Sequence, residues 1–431
     1  MYKDYKYLNS ATTTHINISD YYDYLDSAIN NCINADVGFS CLISNGLYHL
    51  KPEEEKSFFK RYETIKEFQT KSLELFNASL NGEFDPELAS LVINELPEGQ
   101  GLDFHKNFMA DRLQTPVFFR TDEVVPGKIS EIQCPGSAWG LYEQTYQFFN
   151  EFKSEFQESS IFTNGLAQNF AKSLTDYLPK EPILHHLIDN ASIPAGIRFF
   201  IQKVREQGIK YFGYDKGITP YDCNFIRAHA FAGLHSENHF KLRLEKSRSG
   251  EIFYDLPPSI IFDEKISLMF PFWEKTREYF TDAVRNIFPY TQLIRPEGFV
   301  LEDGNWISLE DFINLPRNQR DYYIKYAGSD LALNWGSKGV FYAGSLSKAK
   351  GKELLNMLKK DFNAKRYWII QKGYSLKEEA RFINRDNIED RSQVHSKFSG
   401  FYGPNGLMGI LVMQRNFYKV HGNKDTIVSI V

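Results

Sequence analysis

"FFRTDEVVPGKISEIQCPG", Phe118 to Gly136, alternates apolar and polar residues on both sides of a Pro-Gly pair. Two period-2 runs bounded by turn residues read as a β-hairpin. With an even-length loop centred on Pro126-Gly127, Asp122 falls opposite Glu131 and Arg120 opposite Gln133. Alternate residues share a face, so the four side chains project together. Two carboxylates facing each other across a strand pair repel. The pairing therefore calls for open water or for a positive charge between the acids. Proline cannot take the positive φ required at the first position of a type I′ or II′ turn, so a four-residue Val125–Lys128 loop is expected. A three-residue loop would shift the register by one and separate the acids.

Outward from this stretch, 431 residues are more than one compact core usually serves, which implies two or three domains or subdomains. A hydrophobic share of 42% supports a substantial core, and the net charge of -5 comes from mixed signs. No concentrated basic stripe marks a nucleic-acid binder, and no apolar run reaches the length of a membrane span. "MYKDYKYLNS" lacks the apolar core of a secretory signal. The four cysteines, Cys32, Cys41, Cys134 and Cys223, form no CxxC pair, so a disulfide framework or structural zinc is not expected and a cytoplasmic setting is.

The chain divides into four stretches by pattern. Residues 1–110 form a helical N-terminal region, with amphipathic spacing in "KPEEEKSFFKRYETIKEFQTKSLELFNASL" and a further helix capped by Asp85 before Pro86. Residues 111–160 hold the hairpin and a Phe-rich helix over Tyr142–Phe156. Residues 161–260 alternate strands and helices, an α/β layer in which "AGIRFFIQKVREQGIKYFGYD" reads as strand, helix, strand and "ILHHLI" as helical. In 261–431, "FDEKISLMFPFWEKTREYFTDAVRNIF" reads as helix, followed by glycine-rich turns and strands such as "DYYIKYAG", "RYWIIQKGY" and "LMGILVMQRNFYKVHG".

Two of these later strands carry chemistry. Lys325 ends a strand that runs into a loop bearing Gly328, Ser329, Gly336, Ser337, Lys338 and Gly339 before an apolar strand returns. Backbone N–H groups of such a loop can wrap triphosphate oxygens, with lysines as point charges. No Walker A pattern occurs, and a hairpin with a solvated polar loop is the plain alternative. The apolar strand in "RYWIIQKGY" ends at Gln371-Lys372, a form that can hold an adenine through backbone hydrogen bonds, although viewed alone the segment reads first as a buried sheet strand. Mg²⁺ accompanying ATP would want oxygen ligands, which Asp122 and Glu131 supply, with the Gln133 amide oxygen a third. Arg120 suits bidentate contact with a phosphate or carboxylate. The C-terminal strand with Arg415 and Lys419 suits a wall of the same cleft, with Arg415 the candidate for phosphate or substrate carboxylate, and surface charges on an edge strand are the equal alternative.

This set resembles the ATP-grasp superfamily in its circularly permuted branch, where the metal-binding strands precede the lysine strands. "FFRTD...ISEIQCPG" is similar to the family's arginine-x-aspartate strand followed by glutamate-x-asparagine and Pro-Gly, with Gln133 replacing the asparagine. "YYIKYAGSDLALNWGSKGV" resembles the nucleotide lysine strand, "RYWIIQKGY" the adenine hinge, and "PSIIFDEKISLMF" the place of an earlier lysine, Lys265. Ile197 to Ile261 resembles the pre-ATP-grasp domain. The likeness covers Phe118 to the C-terminus and leaves the first hundred residues uncovered. It implies an α+β / α/β fold of permuted ATP-grasp type, with ATP and Mg²⁺ as cofactors and small-molecule or peptide carboxylate and amine substrates joined through an acyl phosphate. In that scheme Asp122, Glu131 and Gln133 hold Mg²⁺, Lys265, Lys325 and Lys338 engage phosphates, and Arg120 stabilises the acyl phosphate. A nucleotide-binding scaffold or inactive partner subunit, and a small-molecule kinase, are the alternatives.

Overall fold

The computed structural model describes residues 2–6, 13–17, 41–93, 115–133, 138–151, 160–186, 195–212, 223–227, 249–255, 259–262, 264–328, 330, 333, 338–384, 387–421 and 425–431. Its largest sheet has seven strands in the order Lys377–Asn384, Leu42–Ser44, Ile427–Ile430, Gly406–Arg415, Asn387–Gly403, Phe119–Val125, Lys128–Gln133. Neighbours are antiparallel except Ile427–Ile430 against Leu42–Ser44, which are parallel. The 17-residue Asn387–Gly403 strand does double duty. Its first half pairs with Lys377–Asn384 and closes a ring of strands, while its second half pairs with Gly406–Arg415 on one side and the hairpin on the other.

The hairpin register is the one read from sequence: Arg120 opposite Gln133, and Asp122 opposite Glu131. The connection differs. Val125 pairs with Lys128, leaving the two-residue loop Pro126-Gly127. Gly127 has φ of 100°, so the proline sits at the first and the glycine at the second central position of a type II-like turn. Such a turn ordinarily splays hairpin strands. Two register irregularities flank Glu123, one residue extra on each strand, and they cancel, so the Asp122–Glu131 pairing survives. Glu123 anchors this turn from within: its carboxylate accepts the Gly127 N–H at 2.9 Å and pairs with the buried Arg61.

A second sheet, of four antiparallel strands, runs Thr291–Leu293, Trp368–Lys372, Tyr322–Tyr326, Val340–Tyr342. The Lys348–Asn363 helix backs it with Leu354, Leu355 and Leu358, buried among Ile313, Ile324 and Ile370. The third sheet, also four-stranded, is parallel throughout: Lys210–Phe212, Ile183–His186, Phe225–Arg227, Phe253–Tyr254. The Leu166–Tyr177 and Ala195–Glu206 helices accompany it. The expected mixed α/β organisation is thus present, with a large mixed sheet.

Three local expectations are corrected. "AGIRFF" begins the Ala195–Glu206 helix rather than a strand. Its apolar residues Ile197, Phe200, Ile201 and Val204 keep the i, i+3, i+4, i+7 spacing of a helix. "ILHH" is a strand, fixed by the parallel ladders it makes with Lys210–Phe212 on one side and Phe225–Arg227 on the other. "FDEKISLMFPFWEKTREYF" forms short 3-10 turns at Ile260–Phe262, Lys265–Met269 and Arg277–Tyr279, with an α-helix only at Asp282–Ile287. Pro271 follows the second turn and bars an uninterrupted helix there.

Helix Pro52–Leu80 buries Ile65, Phe68, Leu73 and Phe76 against Phe119 and Ile129 of the hairpin and against Ile260, Ile266 and Met269. That packing fixes the hairpin and the Lys265 segment relative to each other.

Candidate active site

A cleft of about 790 Å³, counted out to its open mouth, lies among Asp122, Ser130 and Glu131 of the hairpin, Lys265, Tyr323 and Lys325, Gln371 to Ser375, His395 to Lys397, and Tyr418 to Val420. It brings together six separate parts of the chain.

Asp122 is buried and its carboxylate is fully engaged. Oδ1 accepts from Arg120 Nε at 2.9 Å and from Ser399 Oγ at 2.8 Å. Oδ2 accepts from Arg120 at 3.0 Å and from Lys397 Nζ at 2.9 Å. Burial alone would raise its pKa, but Arg120 and then Lys397 hold the carboxyl well below the usual carboxylate range. Glu131 faces Lys265, with Nζ 3.0 Å from Oε1. Burial again pushes upward and Lys265 overrides it, so Glu131 is also held ionised. The question raised by two opposed acids is answered by the chain's own cations, one set for each carboxylate.

Lys325 sits between the two sheets. Its Nζ donates to the Ser130 carbonyl at 3.0 Å and to Gln371 Oε1 at 2.6 Å. Burial pushes its pKa down to about 8, with Glu131 offsetting part of that fall. Lys372 lies over the Tyr322 ring at 4.8 Å and Lys419 over Phe341 at 5.7 Å. Counting Lys265, Lys325, Lys372, Lys397 and Lys419, five lysines line the cleft against two carboxylates. His395 adds an imidazole whose Nδ1 lies 2.7 Å from Ser375 Oγ. The balance favours a polyanion.

The remaining sequence-derived candidates are distributed unevenly. Arg120 is spent on Asp122 and on Gln133 Oε1, which accepts at 2.7 Å, so the Gln133 amide oxygen is occupied as well. Neither residue is among those lining the cleft. Arg415 points to Asp425, 2.8 Å away, and to the Lys419 carbonyl at 3.2 Å; its neighbour Lys419 faces the cleft instead. Lys338 is exposed outside the cleft lining, and Gly339 is buried, its N–H donating to the Leu333 carbonyl at 2.9 Å. A Cβ at Gly339 would lie 2.7 Å from that carbonyl, so glycine is required for the close approach. Gly336 and Ser337 lie outside the described residues. Gln371 and Lys372 both line the cleft, but the Lys372 and Gly373 N–H groups already donate to Tyr290 and Asp321 carbonyls at 2.8 Å each. A nucleobase at this strand end would need other backbone partners.

Sequence reading passed over Lys397 and Ser399. "VHSKFSGF" carried the signal: His395, Lys397 and Ser399 recur at period two and so share one strand face. Ser399 stands directly opposite Asp122 in the ladder.

A Mg²⁺ ion bound with phosphate needs only one or two protein carboxylates. Among the described residues no group of three His, Cys, Asp or Glu side chains is arranged to hold a metal ion. Glu131 fits as one such carboxylate, with Oε1 on Lys265 and its side chain a quarter exposed. Asp122 and Gln133 do not fit as they stand, because Arg120, Lys397 and Ser399 take their oxygens.

No family model and no curated protein matches the chain. Among solved structures, the chain is similar to a glutathione synthetase like-effector from Globodera pallida, over 96% of both chains, with a TM-score of 0.50 and 12% identity. With a putative gamma-glutamylcysteine synthetase from Methylobacillus flagellatus KT, identity is 10%, coverage 79% of this chain and 83% of that one, and the TM-score 0.38. The first likeness shows a fold shared along nearly the whole chain; the second is too distant to argue from.

Proposed function

We propose that this chain is an ATP-dependent ligase joining a carboxylate to an amine, with the lysine-lined cleft as the triphosphate site. The observation that carries the reading is the convergence of Lys265, Lys325, Lys372, Lys397 and Lys419 on one cleft beside Glu131. Phosphoryl transfer is governed by positioning and by stabilisation of negative charge spread over phosphate oxygens. Clustered lysines on five separate segments supply that stabilisation. The glutathione synthetase-like fold and the ATP-grasp resemblance, including the order of carboxylate hairpin before lysine strand, agree with it.

In this scheme a substrate carboxylate oxygen attacks the γ-phosphorus and ADP leaves. The amine then attacks the acyl phosphate, inorganic phosphate departs and the nitrogen loses a proton. Mg²⁺, when bound through Glu131 and phosphate oxygens, supplies charge neutralisation. Arg120 and Ser399 orient Asp122, which in turn holds the Lys397 ammonium at the cleft wall. Lys265 and Lys325 meet phosphate oxygens from the side of the hairpin. A second reading, nucleotide binding without turnover, is favoured by the engagement of Asp122 and Gln133 with Arg120. Incubation with Mg²⁺, ATP and pooled carboxylates and amines separates them. A new amide mass with stoichiometric ADP supports the ligase; ADP without amide indicates a kinase; ATP binding without ADP indicates the non-catalytic reading; no ATP binding removes all three.

A further inference from the structure

Gln371 was read from sequence as part of a base-binding strand, yet its side chain turns to Lys325. Gln371 stands opposite Tyr323 in one ladder and Thr291 in the other, and Lys325 stands opposite Ile369. Lys325 and Gln371 therefore share a sheet face one diagonal step apart. Gln371 Oε1 accepts from Lys325 Nζ at 2.6 Å. Its Nε2 donates to Thr291 Oγ1 at 3.1 Å, and the Thr291 hydroxyl donates to the Pro289 carbonyl at 2.9 Å. Thr291 is 0% exposed, Gln371 1% and Lys325 7%, so the relay runs through the interior.

We propose that Gln371, oriented by Thr291, is the positioning residue that aims the Lys325 ammonium at its anionic ligand; the identity of that ligand rests on the nucleotide reading above. The order of donors is dictated by the ends. The Pro289 carbonyl can only accept, so the threonine proton is committed to it and the Thr291 oxygen is left to accept. The Gln371 NH₂ therefore faces Thr291, and its carbonyl oxygen faces Lys325. An amide suits this place better than a carboxylate. It holds the ammonium through a short hydrogen bond without neutralising it, so the full charge stays available for phosphate. A glutamate would form an ion pair and spend that charge.

The test is a double-mutant cycle on Mg²⁺-ATP affinity, measured calorimetrically on the full chain, combined with acetylation of Lys325 followed by peptide mass spectrometry. Gln371→Met and the nearly isosteric Gln371→Glu are each expected to weaken ATP at least fivefold. In a Lys325→Met background neither has further effect, because Gln371 acts only through Lys325. Without nucleotide, Lys325 acetylates several-fold faster in Gln371→Met and slower in Gln371→Glu, while exposed Lys338 is unchanged. Additive effects in the cycle, or an unaltered Lys325 acetylation rate, would overturn the proposal. If the wild-type chain binds no ATP, the nucleotide reading falls and the acetylation rates alone decide the relay.

Discussion

Replacing Asp122 with Asn separates an anchoring role from a metal-ligand role. The carboxylate receives four hydrogen bonds, two from Arg120 and one each from Lys397 and Ser399, at 2.8–3.0 Å. Asparagine is isosteric, but it loses the charge and turns an NH₂ toward groups that are themselves donors. Breaking a buried ion pair by removing one partner costs about 3–5 kcal/mol, because the other charge is left uncompensated. Lys397 keeps some solvent access, so the lower end, about 3 kcal/mol, is expected here. The loss should appear in urea unfolding at pH 7 in the presence of EDTA, where no divalent ion can contribute. The pH dependence has a definite sign. Asp122 is depressed in the folded state, so its stabilisation is fully present above the unfolded carboxyl value of about 3.9 and fades as pH falls below it. The deficit of Asp122→Asn should therefore be constant from about pH 5 to 8 and shrink in more acid solution. A variant as stable as wild type in EDTA, with a deficit that appears only when Mg²⁺ is added, would refute the anchoring role.

Glu131→Gln removes the carboxylate facing the Lys265 ammonium, whose side chain is 6% exposed, so a loss of about 3 kcal/mol in urea unfolding should accompany abolished ATP turnover, and retained turnover would remove Glu131 from the site. Glu123→Gln breaks the fully buried pair with Arg61 and weakens the cap on the Gly127 N–H, so urea unfolding should show a loss of about 3–5 kcal/mol, with a near-neutral result excluding the pair as the support of the turn. Because burial lowers Lys325 to about 8, its charge is largely present at pH 7 and largely lost by pH 9, so ATP affinity should drop over that interval in wild type and stay flat in Lys325→Met; parallel pH profiles would contradict this.

The hairpin was legible because its information is local. Period-2 alternation and the Pro-Gly pair set the Asp122–Glu131 register, and only the turn was misjudged. Sequence spacing cannot show that one bulge on each strand will cancel, which lets a two-residue Pro126-Gly127 loop keep the pairing. Lys325 was found by its place on a strand and Lys265 through the family resemblance, and both line the cleft. What could not be read was which groups would already be taken. Arg120, Gln133 and Asp122 satisfy one another across the hairpin and a strand 275 residues later, a closure that depends on tertiary pairing alone. The same holds for Arg415, three residues before the Tyr418–Val420 wall but turned to Asp425 while Lys419 faces inward. In the parallel layer, "ILHH" is too short for periodicity to distinguish strand from helix, and only its two neighbours decide it.

The central claim is that the lysine-lined cleft binds a nucleoside triphosphate through Lys325 and its neighbours. Calorimetric titration of the protein with Mg²⁺ and a non-hydrolysable ATP analogue, alongside Lys325→Met, tests it most directly. Loss of one buried charge-assisted contact is worth about 1.5–3 kcal/mol, so the account predicts saturable one-site binding that weakens roughly 10- to 150-fold in the variant. Absence of binding to the wild-type chain, or equal affinity in both proteins, would contradict it.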